Sequence, residues 1–581
     1  MPGSHTREFH KYVVTQVSES DPTGGAPLKQ TDYSYGGGGA WTYDDESPIT
    51  PAKYRTWGVW RGYQKVTTTV GEASGTRSKT VSLYYRGLDG DKQSDGSTRQ
   101  ATVTDSKGSV QTDAEQFAGQ VRESITYDGA EITGVVNTPW SRTTATDAHS
   151  YGTVRAYIVR MATIVTRTPT ASGEMTHTKK STFDPVTGLV LTEETDAAGA
   201  KDCTVTEYAV NEAAWIRSLP KRVEKVSAAC GTTPNRTNDP KTTDVIGDLR
   251  TSYDDQAWGV APTRGDITRT ERVTGYAADG KAQTQTVTTA AYDDLGRVTD
   301  AYDTQGTRTR HVEYTPAEGG PLTTTVQRNA LDHTVTIKHA PDWGVNLSST
   351  DPNGHRTELA YDAMGRLTDV WLADRDRAAG RSPNTKFEYQ VQKTAASWVA
   401  TRSLSNDGST YQSSYAVYDA LLRPRQTQSP SATGAGRVIS ETKYDTRGLA
   451  FESSADYIDT TAPSGKLATL LTAAPAGSAT TYDGASRPVV EKTLVNGQEF
   501  SRTKHTYKGD TTIVEPPLGA SAVSERVDAR GRLVEKLEYD GNTASTSFTT
   551  MKYGYDHADR MVHAEDDDGN DWDYTFDFLG R

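Results

Sequence analysis

The feature that most restricts this chain is a recurring hexapeptide, Y-D-x-x-G-R. It is intact at Tyr292-Asp293-Asp294-Leu295-Gly296-Arg297 and at Tyr361-Asp362-Ala363-Met364-Gly365-Arg366. Variants change one position each. Leu422, Ser486 or Asp559 replaces the Gly, Leu449 the Arg, and Val527 or Phe576 the Tyr. A second unit, D-x-x-G, falls between them at Asp303–Gly306, Asp351–Gly354 and Asp566–Gly569. Asp293 to Asp303 is 10 residues and Asp351 to Asp362 is 11, giving a period of 21, seen directly between Tyr555 and Phe576. Longer gaps hold degenerate repeats or loop insertions.

A repeat of this kind has a direct physical reading. Asp favours the first position of a type I turn, where its carboxylate caps the following N–H groups. Gly three residues later accepts a positive φ. Between turns lie strand candidates such as Arg297–Tyr302, Arg366–Val370 and Thr334–Lys338, the last with a clean period of two that argues one buried face. Each unit is one antiparallel hairpin, too small to stand alone, so successive hairpins must pair into a continuous sheet. The expected fold is all-β, a long antiparallel β-hairpin ribbon.

Composition agrees. Hydrophobic residues make up only 34% of the 581, and Tyr numbers 30 against 9 Phe. A helical bundle would need stripes of Leu, Ala, Glu and Lys. No run approaches the roughly 18 apolar residues of a membrane span. The net charge of −13 is small for the length, and aromatic and β-branched residues are too abundant for a disordered chain. The 63 basic and 76 acidic residues are intermixed, so no patch suits nucleic acid.

The repeat unit, with its Leu or Val after the Arg and its D-x-x-G partner, resembles the signature of the RHS/YD-repeat family, which includes bacterial RHS toxins, wall-associated YD-repeat proteins, the B/C cocoon of Tc toxins and teneurins. The resemblance covers about Tyr292 to Arg581. Upstream, Arg55-Thr56-Trp57, Trp60–Tyr63, Tyr85–Asp91 and the Cys203/Cys230 block look like the region preceding the repeats in exported RHS proteins. Two regions are therefore expected: 1–250, diverged β-rich, and 251–581, the repeat region. The resemblance implies a ribbon spiralling into a hollow shell, or part of one, that encloses a C-terminal polypeptide, often a toxin. It also implies a protein that is secreted or at the cell surface, although Met1–Glu8 has no apolar core of a signal peptide. The chain stops at Phe576–Arg581 in mid-repeat, so a longer parent is expected.

Other features yield weaker expectations. Cys203 and Cys230 lie 27 positions apart and are either a disulfide pair or two unrelated thiols. Phe183-Asp184-Pro185-Val186-Thr187-Gly188-Leu189 looks like the D-P-x-G-L motif beside which family members cleave themselves, but it lies upstream of the clear repeats, where an ordinary turn is the plainer reading. A strand is expected at Tyr12–Val17 and a short helix at Asn211–Val223, with loops at 231–241, 373–384 and 429–436. Trp41, Tyr43, Trp57 and Trp60 form an aromatic cluster. Gly36–Gly39 lacks the G-K-[ST] of a phosphate loop, and neither G-x-S-x-G nor H-E-x-x-H occurs. Two acidic loops offer oxygen ligands for calcium, Asp89, Asp91 and Asp95, and Asp566, Asp568, Asn570 and Asp571, but the first lacks the regular ligand series and its closing Glu, and the second coincides with a repeat turn that already explains Asp566 and Gly569. His505 and His557 sit beside repeat tyrosines, where a packed or surface histidine is the plainer reading than a metal ligand.

No cofactor, metal or catalytic constellation is expected, and the chain reads as a non-enzymatic shell segment. Its expected partner is a C-terminal effector or toxin of the same parent. The alternative is a surface adhesion protein whose Tyr and Trp side chains stack on glycans.

Overall fold

The computed structural model describes residues 10–43, 50–149, 152–239, 241–277, 279–432 and 434–581. Met1–Glu8 lies outside them. The described chain is all-β: no α-helix occurs among the described residues, and the two helical segments, Ala52–Tyr54 and Glu115–Phe117, are single 3-10 turns. One sheet of 36 strands runs from Gln16–Glu19 to Asp571–Asp573. Each strand pairs antiparallel with its neighbours in chain order, across residue 250 as elsewhere. The sheet does not close on itself. A separate two-stranded hairpin, Thr102–Thr104 with Val110–Thr112, sits in the insertion before Val121–Asp128.

In such a meander the connections alternate between two edges. The Y-D turn Asp293–Arg297 joins Ala282–Tyr292 to Val298–Tyr302 at one edge, and the D-x-x-G turn at Asp303 joins Val298–Tyr302 to Arg308–Thr315 at the other. The same division holds at Asp351 and Asp362.

Little of the sheet is dry. Thr334 to Ile337 are all half-buried, so the period-two alternation does not produce one buried face: no second layer covers this stretch. The chain exposes 32239 Å², against about 20,000 Å² expected for a compact monomer of its mass. The principal apolar cluster joins Cys203, Val226, Val245, Val273 and Tyr276, with Cys230, Ala228 and Phe578 packed against it.

Two local expectations are corrected. The segment Asn211–Val223 is not helical. Strand Ala200–Asn211 turns through Glu212–Trp215 into strand Ile216–Val226, with Trp215 at φ 57° and Tyr208 opposite Pro220 at a bulge. Its helix-like apolar spacing is overridden by pairing on both sides. At the N-terminus, Tyr12–Thr15 is irregular and the strand is Gln16–Glu19.

Candidate functional site: the turn relay and the seam between coils

Each Y-D turn is a type I turn closed by a residue in the left-handed region, the arrangement of a three-residue hairpin loop with a glycine bulge. Asp293 Oδ1 accepts the N–H groups of Leu295 and Arg297 at 3.0 and 2.9 Å, and Oδ2 accepts Arg297 Nε at 2.6 Å. Gly296, at φ 73°, donates its N–H to the Asp293 carbonyl. Asp362, Gly365 and Arg366 repeat this geometry, with Arg366 Nε 2.7 Å from Asp362. The pairing acts on acidity. Burial raises the Asp293 carboxyl, but the N–H groups of Arg297 and Leu295 and the Arg297 guanidinium outweigh it and hold it low. At Asp362 the Arg366 main-chain N–H is the largest of the causes that lower it.

The Arg and Tyr of the motif link one unit to the next. The Arg297 guanidinium lies 4.4 Å over the ring of Tyr314, and the Tyr314 hydroxyl donates back to the Val298 carbonyl at 2.8 Å. Arg366 covers Tyr389, whose hydroxyl donates to Leu367. Arg423 with Tyr444, Arg487 with Tyr507 and Arg532 with Tyr555 follow the same rule. Tyr292 and Tyr361 themselves donate to Ile267 and Asn346. So Asp fixes Arg, Arg covers the next Tyr, and that Tyr ties back to the strand the Arg begins. The degenerate units keep the geometry. Leu422, Ser486 and Asp559 take φ of 58°, 64° and 63° in place of Gly. Where Leu449 has displaced the Arg, Arg447 reaches Asp445 instead and donates onward to the Asp483 carbonyl.

Later turns on the Y-D edge also touch the opposite edge of much earlier strands, in matching order. Asp21 accepts the Ala420 N–H, and the Glu72 N–H donates to Thr446 Oγ1. The hydroxyls of Ser78 and Ser486 lie 3.4 Å apart. The backbones at Gly484 and Gly509 press on the carbonyls of Tyr127 and Pro169 so closely that a Cβ would collide. Arg530 grips Asp202 through two nitrogens at 2.9 and 3.0 Å and also reaches Asp559. Phe578 packs edge-on against Tyr276 with centroids 6.2 Å apart. The hydrogen-bonded partners are separated by 328 to 408 residues. The ribbon therefore winds, one circuit takes roughly 300 to 400 residues, and 581 residues complete roughly one and a half circuits or a little more.

Cys203 and Cys230 are joined by a disulfide, Cα atoms 5.1 Å apart. The acidic loops are used internally: Asp89 accepts from Ala101, Asp91 from Tyr43, Asp95 from Ser97, and Asp566 from Asp568 and Asn570. Among the described residues no group of three or more His, Cys, Asp or Glu is placed to hold a metal ion. His505 is paired with Glu491. Asp184 caps its own turn through the N–H groups of Val186 and Thr187. The aromatic cluster packs within itself, Trp41 on Trp60 and Tyr43 on Trp57. The seam residues Asp21, Asp202, Thr446, Arg530 and Phe578 carried no sequence signal, because their partners lie more than half the chain away.

These features define an open antiparallel β-ribbon wound into a coil. No family model matches the sequence, and no curated protein is similar to it. The fold is similar to chains in the crystal structures of TcdB2-TccC3 and TcdB2-TccC3-Cdc42, with TM-scores of 0.65 and 0.64 at 12% identity in both. The match covers 93% of this chain and 34% and 36% of those chains, so the chain spans about a third of their length.

Proposed function

We propose that this chain is a non-catalytic shell segment of an exported RHS/YD-repeat protein, and that its work is to enclose or present a C-terminal effector of the same parent. The observation that carries this reading is the coil itself. A single-layer ribbon returns on itself through the ordered contacts from Asp21/Ala420 to Asp202/Arg530, and the excess of exposed area fits a wall with two wetted faces rather than a packed domain. The Y-D relay supplies stiffness along the wall, and the turn-to-turn seam supplies closure between circuits. The likeness to TcdB2-TccC3 chains supports this reading at the level of fold.

The test is cryo-electron microscopy of the full-length parent, with limited proteolysis of the same sample. A central void bounded by this ribbon, and C-terminal sequence that resists protease until the ribbon is unfolded, is the expected result. A solid particle, or a C-terminal segment cleaved as fast as an isolated peptide, would overturn the proposal.

A further inference from the structure

The geometry points to the Cys203–Cys230 disulfide as a redox latch on the seam between coils. It sits in the cluster on which the last Y-D turn rests. Cys203 is 1% exposed in strand Ala200–Asn211, and Cys230 lies half-buried in the connection between Ile216–Val226 and Val245–Tyr253. Phe578, from the turn one circuit later, packs against the cluster that includes both sulfurs. Asp202, next in chain to Cys203, holds Arg530.

The Cys230 connection forms the bed of the seam. Apart from the disulfide and the Cys230 N–H donated to Glu194, it is held to the sheet by Arg236 on Glu224 and by Asn238, which accepts the Tyr276 N–H. Its Lys241 then shares a cleft with Asp556, His557, Arg560 and Phe576 of the later coil. The bridge thus fixes the start of a loop whose far side lines a cleft together with two later turns.

Reduction proceeds by attack of a thiolate, of the glutathione or dithiol class, on the sulfur of Cys230, the less buried residue of the pair. Cys203 leaves as a thiolate and takes a proton, and a second reductant thiol resolves the mixed disulfide, leaving two protein thiols and an oxidised reductant. An oxidising exterior keeps the latch shut, and a thiol-rich cytosol opens it. The inference rests on the seam alone and stands whatever the coil encloses.

The experiment is hydrogen–deuterium exchange on the full chain before and after dithiothreitol, with alkylated thiols counted in the same sample. With two thiols alkylated, exchange at 227–244, 556–560 and 577–581 is expected to quicken about tenfold or more, the response of a local opening unit. The turns at 419–423 and 445–449, seated on Asp21 and Glu72 far from the bridge, should not change. The variant with both Cys203→Ser and Cys230→Ser should match the reduced protein; if it does not fold, reduction of the native chain carries the test. Phe578→Ala, which leaves the bridge intact, should quicken only 577–581 and shows that the readout detects an open seam. Two alkylated thiols with unchanged exchange at 556–581, or a bridge that resists reductant in the folded chain, would overturn the proposal.

Discussion

Removing a turn aspartate should cost very different amounts at the two edges of the ribbon. Asp419 is fully buried, accepts the N–H groups of Leu421 and Arg423 at 2.9 Å each, and binds Arg423 Nε at 2.7 Å. In Asp419→Ala both N–H groups lose their acceptor at a position shielded from solvent, and the guanidinium loses its anion. At about 1 kcal/mol for each main-chain donor and about 2 for the charged bond, the local loss is about 4 kcal/mol. Asp303 makes the same two main-chain bonds, to Gln305 and Thr307, but its turn is exposed and binds no arginine. Water replaces most of what Asp303→Ala removes, leaving about 1 kcal/mol or less. Asp419→Asn isolates the charge. Asn329 already caps Leu331 and His333 in this manner, so the amide should keep the turn and lose about 2 kcal/mol. A ribbon of this length has no single unfolding free energy, so the measurement is native-state hydrogen exchange in the strands flanking each turn, Tyr411–Tyr418 with Pro424–Pro430 and Val298–Tyr302 with Arg308–Thr315. If the Asp419→Ala and Asp303→Ala effects agree within about 0.5 kcal/mol, less than the smallest term above, burial and the Arg pairing do not govern the turn.

Three further outcomes follow from the same geometry. Leu422→Gly should strengthen its hairpin by about 0.5–1 kcal/mol by relieving a left-handed side chain, read as slower local exchange. Asp559→Gly should show no such gain, because Asp559 receives Arg530 and Arg532. Tyr444→Phe should cost about 1 kcal/mol for the bond to Pro424, while Tyr444→Leu should cost roughly a further 0.5–1 by removing the ring under Arg423; equal losses in the two variants would show that the ring contact contributes nothing. Burial raises the Asp254 carboxyl, but the N–H groups of Arg264, Thr263, Asp266 and Gly265 hold it at about 2. Its stabilisation is therefore full above the unfolded value near 3.8 and is lost as pH falls toward about 2. Exchange across 253–267 should quicken through that window, and Asp254→Asn should flatten the profile.

The sequence showed what is local. Asp and Gly act within five residues, so a period of 21 exposed their roles. The Arg of the motif reaches the Asp four residues before it, yet its second contact lies with the Tyr of the next unit. The Tyr hydroxyl bonds a strand up to 32 residues upstream, as Tyr482 does to Ala450, at a spacing that insertions keep changing. Asn211–Val223 misled because Ala213, Ala214, Ile216 and Leu219 mimic a helical stripe, while the left-handed Trp215 that makes the turn is a residue type rarely found in that conformation. The seam was illegible for a different reason. Its partners are chemically unlike one another, carboxylate with amide, hydroxyl with hydroxyl, arginine with aspartate and ring with ring, so no pattern repeats along the chain.

That diversity has a consequence for how such a chain can change in length. A plain stack of repeats gains or loses a unit at either end, because every interface is the same. Here Asp21, Glu72, Asp202 and Tyr276 each await a particular counterpart in the next circuit. Inserting one hairpin between residues 282 and 418 would advance every later turn by one position, as teeth slip on a gear, and would set Arg530 against a neighbour chosen for something else. The coil is thus dimensioned like a vernier, with circumference and sequence fixed together. Growth is free only in loops that leave the count of strands per circuit unaltered.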